Sequence, residues 1–493
     1  MIKKNILSIG GLFTGLLIFG IFLLTSPPKE LENIAWITAG VALLMTIWWI
    51  SEAIPIYVTG LIPLIAFPLL GLYELKVVAS SYAHPLVLLF LGGFIIASAM
   101  ESSGLHKRIA LKILTLCGTS PSKIIGGFMI TTALLSMWVS NTASTIMMLP
   151  IATSVITIFS SQSKIKNNQF AIPLLLAIAY SASIGGAATL IGTPTNIMLA
   201  SILSETYNYQ IDFIDWLIIG LPVALILIPI VWIFLNKIIF TVSTKKSDAL
   251  EKTLKKLKKD IGKPNLTQKI VAMVFTLTAL LWIFRRYIND LFQANLNDTS
   301  VGLFGALLLF IIPTSKGNRA CSWETANKIP WGILFLVGGG IALSKAFQSS
   351  GLALWIGTFS NYFYHLNIYL LIFLSVAIII LLTELNSNTA TVATFTPILV
   401  IFALGLEANP LYFVIPTTIA ASCAFMLPIA TPPNAVVFGS GKLDIKDMIR
   451  AGISLNIISA LIVSFVSILI LDVVFDYELL GVPNWITETE INK

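Results

Sequence analysis

The sequence predicts an all-α polytopic membrane protein, with about eleven transmembrane helices and two re-entrant hairpins in an inverted repeat. Composition is the first reason: apolar residues make up 57% of the 493 positions and charged residues 11%, against roughly 45–50% and 25% in soluble domains. The second reason is a series of apolar runs near the roughly 20 residues that cross a bilayer. The third is a Ser-Asn-Thr tripeptide that occurs at 140–142 and again at 387–389.

The apolar runs divide at a basic stretch near the middle of the chain. The runs before it lie at 5–25, 34–50, 54–72, 84–103, 122–160, 170–202 and 213–236, and those after it at 268–287, 299–314, 331–347, 366–405, 409–440 and 451–475. The first run follows Lys3 and Lys4 as in a signal peptide, but it lacks a small-residue cleavage motif, so we interpret it as a retained span. Residues 106–117 are amphipathic, which favours a helix at the membrane interface.

A shift of 247 positions aligns the two halves of the chain. The matched blocks are Ser102-Ser103-Gly104-Leu105 with Ser349-Ser350-Gly351-Leu352, Ser140-Asn141-Thr142-Ala143 with Ser387-Asn388-Thr389-Ala390, and Pro150-Ile151 with Pro397-Ile398. At a slightly shorter offset, Thr193-Pro194-Thr195-Asn196 matches Thr431-Pro432-Pro433-Asn434. Because one offset serves several separated blocks, the matches indicate an internal repeat.

Basic residues in the loops predict the topology, because Lys and Arg favour the cytoplasmic side. Lys3 and Lys4 place the N-terminus inside. If each tripeptide segment is a hairpin that enters and leaves on one side, the acidic tail lies outside and the basic segments lie inside, at 106–123, 162–166, 237–269, 316–328 and 442–450. Only Arg285 and Arg286 break this rule. The first hairpin then enters from the cytoplasm and the second from outside, which places a binding site near the membrane midplane.

The stretch 237–269 contains ten lysines. Two interpretations are open: a solvated charged loop that only sets the topology, or an amphipathic helix on anionic lipid. We favour the solvated loop, because a run of charge is usually exposed to water.

Four polar sequences interrupt the apolar segments: the two Ser-Asn-Thr tripeptides and the two Thr-Pro-x-Asn sequences. Irregular backbone at membrane depth is tolerated only where it lines a cavity or is buried in protein. Pro194 and Pro432 leave backbone carbonyl groups without helical donors. These carbonyl groups, together with Ser, Thr and Asn oxygens, suit a monovalent cation such as Na⁺. The N–H groups at helix N-termini suit a carboxylate. Hydrogen bonds from Ser and Thr side chains to their own helix backbone would explain one tripeptide alone. The presence of two tripeptides and two matched breaks favours a binding site.

Glu384 lies three residues before the second tripeptide, and its first-half counterpart is Met137. A carboxylate in a membrane segment is a candidate functional residue; a structural role, by pairing with Lys345 or by capping the hairpin turn, is an equal alternative. The three histidines and three cysteines have no metal-ligand spacing, and the basic residues show no nucleic-acid-binding pattern. The sequence therefore predicts a protein that is not an enzyme and has no organic cofactor and no nucleic-acid partner.

These motifs resemble those of the divalent anion/sodium symporter family, which includes sodium-coupled di- and tricarboxylate transporters. The similar segments are LFLGGF at 89–94, LHKRIALKI at 105–113, SMWVSNTA at 136–143, GTPTN at 192–196, LTELNSNTA at 382–390 and ATPPN at 430–434. The resemblance, which includes these segments, extends over nearly the whole chain. The resemblance implies a homodimer in the lipid bilayer, in which a transport domain of each protomer moves past a scaffold domain like an elevator.

The resemblance also implies the site residues. Asn141 and Thr142 would contact one substrate carboxylate, and Asn388 and Thr389 the other. The full substrate set comprises Ser140, Asn141, Thr142, Thr193, Ser387, Asn388, Thr389, Thr431 and Pro432. The first sodium site would use Ser136, Asn141 and the backbone of Gly192, and the second would use Thr383, Asn388 and the backbone of Asn386 and Ala430.

The implied domains follow the two repeats. Scaffold helices would occupy 1–103 and 270–350, a basic linker 237–269, and an extracytoplasmic tail 476–493. The first transport region would occupy 104–236, with its hairpin at 122–160 and its broken helix at 170–202. The second would occupy 351–475, with its hairpin at 366–405 and its broken helix at 409–440.

The expected function is sodium-coupled import of C4 dicarboxylates such as succinate, malate and fumarate, across the inner (plasma) membrane, with the N-terminus cytoplasmic. A sodium-independent dicarboxylate exchanger of the same fold is the first alternative, for example for 2-oxoglutarate/malate or succinate antiport, and a citrate- or sulfate-preferring member is another. An intramembrane enzyme or a channel is the alternative from a different class. An enzyme would need paired titratable groups at membrane depth, and only Glu384 is available there.

Overall fold

The computed structural model describes residues 2–162, 168–244, 248–314 and 318–486, and these form a bundle of helices. The helices are α1 (Ile2–Leu24), α2 (Asn33–Ser51), α3 (Ile56–Thr59), α4 (Ile62–Leu69), α5 (Leu75–Ser80), α6 (Pro85–Ser102), α7 (Leu105–Cys117), α8 (Pro121–Ser136), α9 (Asn141–Gln162), α10 (Asn168–Ala187), α11 (Pro194–Tyr207), α12 (Phe213–Ile233), α13 (Asp248–Ile261), α14 (Leu266–Phe292), α15 (Asp298–Ile311), α16 (Trp323–Ala326), α17 (Trp331–Ser349), α18 (Leu352–Gly357), α19 (Ile368–Thr383), α20 (Asn388–Gly405), α21 (Leu411–Ala420), α22 (Pro432–Phe438) and α23 (Ile445–Val473). β-Pairing in the described residues is limited to two isolated bridges, Pro313–Arg319 and Ala408–Leu480. The predicted all-α class is confirmed.

Eight helices of the described residues are long and apolar enough to cross a membrane, or nine if one sharply bent pair counts as a span. The predicted run at 54–72 is not among them, because it forms two short helices, α3 and α4. Pro63 lies in the first turn of α4 and Pro68 lies inside it, and each proline removes a backbone donor. The run at 299–314 contains only the 14-residue helix α15. The number of eleven transmembrane helices therefore stays a prediction.

Both predicted hairpin segments are pairs of helices that meet at a Ser-Asn-Thr tripeptide. Helices α8 and α9 pack together and are joined by residues 137–140, while α19 and α20 pack together and are joined by residues 384–387. The tripeptide Asn is the first residue of the second helix in both pairs. Most of the predicted basic segment 162–166, after α9, lies outside the described residues.

Each hairpin is followed by a broken helix. The first consists of α10 and α11, separated by residues 188–193, and the second of α21 and α22, separated by residues 421–431. Pro194 and Pro432 are the first residues of α11 and α22. Proline suits this position because the missing N–H has no helical acceptor there and its fixed φ matches the helix.

An asparagine side chain closes each break. Asn196 Nδ2 donates to the carbonyl oxygen of Thr189 (2.7 Å), and Asn434 Nδ2 donates to the carbonyl oxygen of Leu427 (3.0 Å). Both acceptors lie seven residues before the asparagine, so the two repeats use the same bond. Each carbonyl oxygen also accepts a backbone N–H, from Gly192 or from Ala430 (3.2 Å each), so the asparagine supplies a second donor that ties the start of the following helix to the break.

The two hairpins open toward opposite ends of α12. Ser122, at the start of the first hairpin, donates its backbone N–H to the carbonyl of Ser243 (3.2 Å), in the segment after α12. The second hairpin instead opens beside the C-terminal segment, where the N–H of Asn409 bonds to the carbonyl of Leu479 (3.0 Å). That segment returns to the start of α12, because its Tyr477 hydroxyl lies 2.6 Å from the hydroxyl of Tyr209.

Part of the basic stretch 237–269 is helical, although we favoured a solvated loop there. Helix α13 covers 14 of its residues. Arg108 of α7 donates to the backbone carbonyl groups of Ile261 (3.2 Å) and Gly262 (2.8 Å), at the end of α13. The linker therefore docks onto the helix that was predicted to lie at the membrane interface.

Matched glycines let helices approach closely in both repeats. A Cβ atom at Gly92 would lie 2.7 Å from the carbonyl carbon of Gly302, and a Cβ atom at Gly339 would lie 2.2 Å from the carbonyl oxygen of Gly60. The two positions are related by the 247-residue shift. Backbone atoms cannot move aside as a flexible side chain can, so these helix pairs depend on glycine.

Gly339→Ala is expected to lower the free energy of unfolding by about 1–3 kcal/mol, because the added methyl overpacks the contact with Gly60. Gly20→Ala in α1 is the matched control, since no atom lies within 4 Å of a Cβ there. Thermal unfolding of the purified proteins in detergent, followed by size-exclusion chromatography, compares the two. Equal stability of both variants would contradict the assigned packing.

Candidate functional site

The first tripeptide lies against the end of α10. Ser136 Oγ donates to Asn141 Oδ1 (2.6 Å), and a Cβ atom at Gly186 would lie 2.1 Å from the same oxygen. Only a glycine at position 186 leaves room for the Asn141 side chain in this place. Ser140 Oγ accepts the N–H of Ala143 (3.3 Å), so Ser140 caps α9.

Gly192 brings the first break to the same point. A Cβ atom there would lie 2.4 Å from the carbonyl oxygen of Gly186 and 3.0 Å from that of Ser136. The structure therefore brings together Ser136, Asn141 and the backbone of Gly192, the residues predicted for the first sodium site. Hydroxyl, amide and carbonyl oxygens of this kind suit a hard monovalent cation.

The second tripeptide repeats this arrangement. Thr383 Oγ1 lies 2.5 Å from Asn388 Oδ1 and 2.9 Å from the carbonyl oxygen of Ala421, at the start of the second break. Ala430 lies at the other end of that break, where its N–H bonds to the carbonyl of Leu427 (3.2 Å). The side-chain oxygen of Asn386 is buried and has no hydrogen-bond partner among the described residues. The ligand predicted at this position is the backbone of Asn386, not this side-chain oxygen.

The residues predicted to bind substrate differ in exposure. Ser140, Asn141, Thr142, Ser387 and Asn388 are half-buried, Thr193, Thr389 and Thr431 are buried, and Pro432 is exposed. Thr431 Oγ1 accepts the N–H of Asn434 (3.2 Å), so this hydroxyl caps α22 and its role is at least partly structural. Within the tripeptides, a ligand can therefore reach all three residues of the first and the Ser and Asn of the second, whereas Thr389 is buried.

The helices that begin at the tripeptides pack against the broken helices of the opposite repeat. Helix α9, which begins at the first tripeptide, packs against α22 of the second broken helix, and α20, which begins at the second tripeptide, packs against α11 of the first. The first turns of α9, α11 and α20 contain no acidic residue. Their N-terminal N–H groups and helix dipoles therefore favour an anion.

Equivalent positions are buried in one repeat and exposed in the other. Ile191 in the first break is 7% exposed, whereas Ile429 at the matching place in the second break is 72% exposed. Helix α11 is buried along most of its length, while α22 exposes Pro432 and Ala435. The repeats therefore share their internal bonds but not their surroundings.

Glu384 holds the second break in place. It is 3% exposed, and its carboxylate accepts the backbone N–H groups of Phe425 (2.7 Å), Met426 (2.8 Å) and Leu427 (3.0 Å). Asn456 Nδ2 of α23 donates a fourth bond (2.7 Å). The predicted alternative of a Lys345 partner is wrong, because Lys345 bonds to Glu205 instead (2.7 Å); the three consecutive N–H groups draw the carboxylate to the break.

The first repeat closes its break without a carboxylate. Thr189 Oγ1 donates to the carbonyl oxygen of Met137, the counterpart of Glu384. Trp216 Nε1 of α12 donates to the carbonyl oxygen of Ala187 (2.9 Å). In the first break, the Thr189 hydroxyl and the Trp216 indole donate to carbonyl groups. In the second break, the Glu384 carboxylate accepts from N–H groups instead.

Sequence reasoning did not single out Gly186, Asn196, Asn434 or Asn456 as site residues. The two asparagines of the Thr-Pro-x-Asn sequences were visible in the repeat, and Gly186 belongs to a Gly-Gly pair before the first break. Asn456 lies in a long apolar helix and carries no pattern that could have linked it to Glu384.

Comparison with known proteins decides the family. Residues 8–475 match the family described as "Sodium:sulfate symporter transmembrane region". The chain belongs to the divalent anion/sodium symporter family. The family resemblance that the sequence motifs indicated is therefore confirmed.

The chain is 38% identical over 490 residues to the sodium-dependent dicarboxylate transporter SdcS of Staphylococcus aureus strain USA300. The matched region covers 97% of this chain and 94% of the relative. SdcS of strain MRSA252 shows the same identity and coverage. The crystal structure of the Alcanivorax borkumensis YdaH transporter matches with a TM-score of 0.58 and 13% identity, over 96% of this chain and 100% of that chain. At this identity the likeness supports the fold alone. The relatives are named transporters, not enzymes.

Glu384→Met, which introduces the first-repeat counterpart, is expected to lower the free energy of unfolding by about 3 kcal/mol or more, because several buried donors lose their acceptor. Glu384→Gln keeps one acceptor oxygen and should lose less. Glu74→Gln, at an exposed residue, is the control. Thermal unfolding measured with and without sodium separates the two roles left open for Glu384.

If Glu384 only supports the break, Glu384→Gln will be less stable but will keep the parent protein's stabilisation by sodium. A lost sodium response in a folded Glu384→Gln protein would instead assign the carboxylate to ion binding. Parent-like stability of Glu384→Met would contradict the structural role.

Proposed function

We propose that this protein imports C4 dicarboxylates, such as succinate, malate and fumarate, together with sodium ions. The observation that carries the proposal is the pair of matched polar sites at the tripeptides, Ser136–Asn141 beside Gly192 and Thr383–Asn388 beside Ala421. The 38% identity to a protein named a sodium-dependent dicarboxylate transporter supports the same substrate class. A dicarboxylate dianion has two carboxylates, and the two tripeptides supply two matched helix N-termini, those of α9 and α20.

In this proposal the substrate carboxylates bind at the two tripeptides, one at Asn141 and Thr142 and the other at Asn388 and Thr389. Sodium is a co-transported substrate. It would bind among the oxygens of Ser136 and Asn141 with the Gly192 backbone, and among those of Thr383 and Asn388 with the backbones of Asn386 and Ala430. Bound sodium would fix both tripeptides and so raise the affinity for the dianion, and by linkage the dianion would raise the affinity for sodium.

Movement would follow the two-repeat organisation. The hairpins and broken helices, in 104–236 and 351–475, would move together past the scaffold helices at 1–103 and 270–350, as an elevator within each protomer of a homodimer. The inner (plasma) membrane is the proposed location, with a cytoplasmic N-terminus and an extracytoplasmic C-terminus. The proposed movement is supported by the two hairpins, which open toward opposite ends of α12, because such an arrangement can present one binding site to each membrane face in turn.

Sodium coupling is tested by uptake of labelled succinate into proteoliposomes. An inward sodium gradient is expected to drive accumulation, and collapse of the gradient with a sodium ionophore should abolish it. Proteoliposomes with an equal potassium gradient are the control. Uptake that ignores sodium but requires dicarboxylate inside the vesicles would contradict symport and identify an exchanger.

Asn141→Ala and Asn388→Ala are each expected to lower succinate uptake by about ten- to a hundredfold, since each removes a hydrogen bond to a charged ligand. Asn361→Ala, at an exposed residue away from the tripeptides, should keep parent-like uptake. Size-exclusion profiles check that all variants stay folded. Parent-like uptake by either tripeptide variant would contradict the site assignment.

A further inference from the structure

Three carboxylates lie at the end of α11, at the start of α12 and in the connection between them, and a Lys or Arg side chain of another helix binds each one. Glu205, near the end of α11, accepts a bond from Lys345 of α17 (2.7 Å). Its other carboxylate oxygen lies 3.7 Å from His84 Nε2, just before α6. These side chains are buried or partly buried, with exposures of 22% for Glu205, 38% for Lys345 and 7% for His84.

The other two carboxylates lie at the start of α12. The Arg286 guanidinium of α14 binds Asp212 (2.9 Å) and Asp215 (2.6 Å). Arg285 binds Asp212 and, through Nε, Asp298 of α15 (2.9 Å). Asp298 also accepts the backbone N–H of Phe213 (2.8 Å), the first residue of α12. This second cluster therefore ties the start of α12 to both α14 and α15.

Most of these ion pairs cross the same proposed boundary. Glu205, Asp212 and Asp215 belong to the proposed transport region at 104–236. Their cationic partners Lys345, Arg285 and Arg286 belong to the proposed scaffold at 270–350, and the His84 ring beside Glu205 belongs to the scaffold at 1–103. The pairing also accounts for Arg285 and Arg286, the one exception to the predicted topology. Their charge is neutralised by neighbouring carboxylates, so it does not act as a free positive charge in a loop.

The second repeat lacks an equivalent. Asp444 and Asp447 form the same capping arrangement at the start of α23 as Asp212 and Asp215 do at the start of α12. Within the described residues neither forms an ion pair, and Asp444 is exposed. The capping function is therefore shared by both repeats, and the ion pairs are particular to the first.

We propose that Glu205, Asp212 and Asp215, with Lys345, Arg285 and Arg286, form an ion-pair latch that holds the α11–α12 end of the transport region against the scaffold, with the His84 ring beside Glu205. The proposal rests on the movement described under the proposed function. The latch accounts for the burial of α11, whereas α22 exposes Pro432 and Ala435; in this proposal the α11 end is closed and the α22 end is open. Movement toward the opposite state must break these pairs.

A pair of residues beside the latch reports whether it is closed. Thr206 Oγ1 of α11 and Ser344 Oγ of α17 lie 3.1 Å apart, on the two sides of the proposed boundary. In the double variant Thr206→Cys/Ser344→Cys the thiols will meet when the latch is closed. Oxidation, or a short bis-methanethiosulfonate reagent, then bridges them at a rate that reflects the closed fraction. The parent chain, with its natural cysteines, is the control for other thiol reactions.

Glu205→Gln and Lys345→Gln, each placed in the double-cysteine background, are expected to slow bridging roughly two- to fivefold, the effect of losing one partly exposed ion pair. The exchanged pair Glu205→Lys/Lys345→Glu should restore most of the rate. Asp290→Asn, which removes an exposed charge on α14, should have no effect. These substitutions lie outside the tripeptides and breaks, so they leave the binding site intact.

Two measurements separate failure of the latch from failure of the proposed movement. Bridging at the parent rate in both Glu205→Gln and Lys345→Gln would overturn the latch and leave the proposed transport untouched. Succinate uptake is measured in bridged proteoliposomes before and after reduction; uptake should stop on bridging and return on reduction. Full uptake by the bridged protein would overturn the relative movement itself, and the latch with it.

Discussion

The structure depends on the need to give every polar backbone group a partner where helices stop inside an apolar environment. Two helices break near the middle of the bundle, and each break leaves carbonyl and N–H groups without helical partners. Asn196 and Asn434 meet this need by the same bond in both repeats. With the breaks held open in this way, the tripeptide tips at Asn141 and Asn388 can reach the interior and meet polar backbone there.

The two repeats solve the rest of the problem differently. In the first, Thr189 and Trp216 donate to carbonyl groups; in the second, Glu384 accepts from three consecutive N–H groups and is supported by Asn456. A buried carboxylate is stable only if it is hydrogen-bonded, and four donors supply that condition. At the two breaks, both repeats therefore share the tripeptide and the asparagine of the Thr-Pro-x-Asn sequence. The residues that support each break differ between the repeats.

Charge serves a second purpose at the end of the bundle where α11 meets α12. The carboxylates on either side of that connection are paired with Arg285, Arg286 and Lys345. These pairs account for the exception to the topology rule, and in the proposed latch they hold this end closed. A transporter that alternates between two states needs contacts that are strong enough to define one state and weak enough to break, and partly exposed ion pairs meet both requirements.

The sequence by itself determined the all-α membrane class, the family, the internal repeat and the positions of both hairpins and both breaks. It could do so because apolar run length, Pro, and repeated Ser-Asn-Thr and Thr-Pro-x-Asn are local patterns with direct physical meaning. Only the tertiary structure decided that Glu384 binds the N–H groups at 425–427 rather than Lys345, that Gly186 makes room for Asn141, and that α3 and α4 are two short helices. These contacts join residues that are distant along the chain, and no local pattern reports which distant groups the packing will bring together.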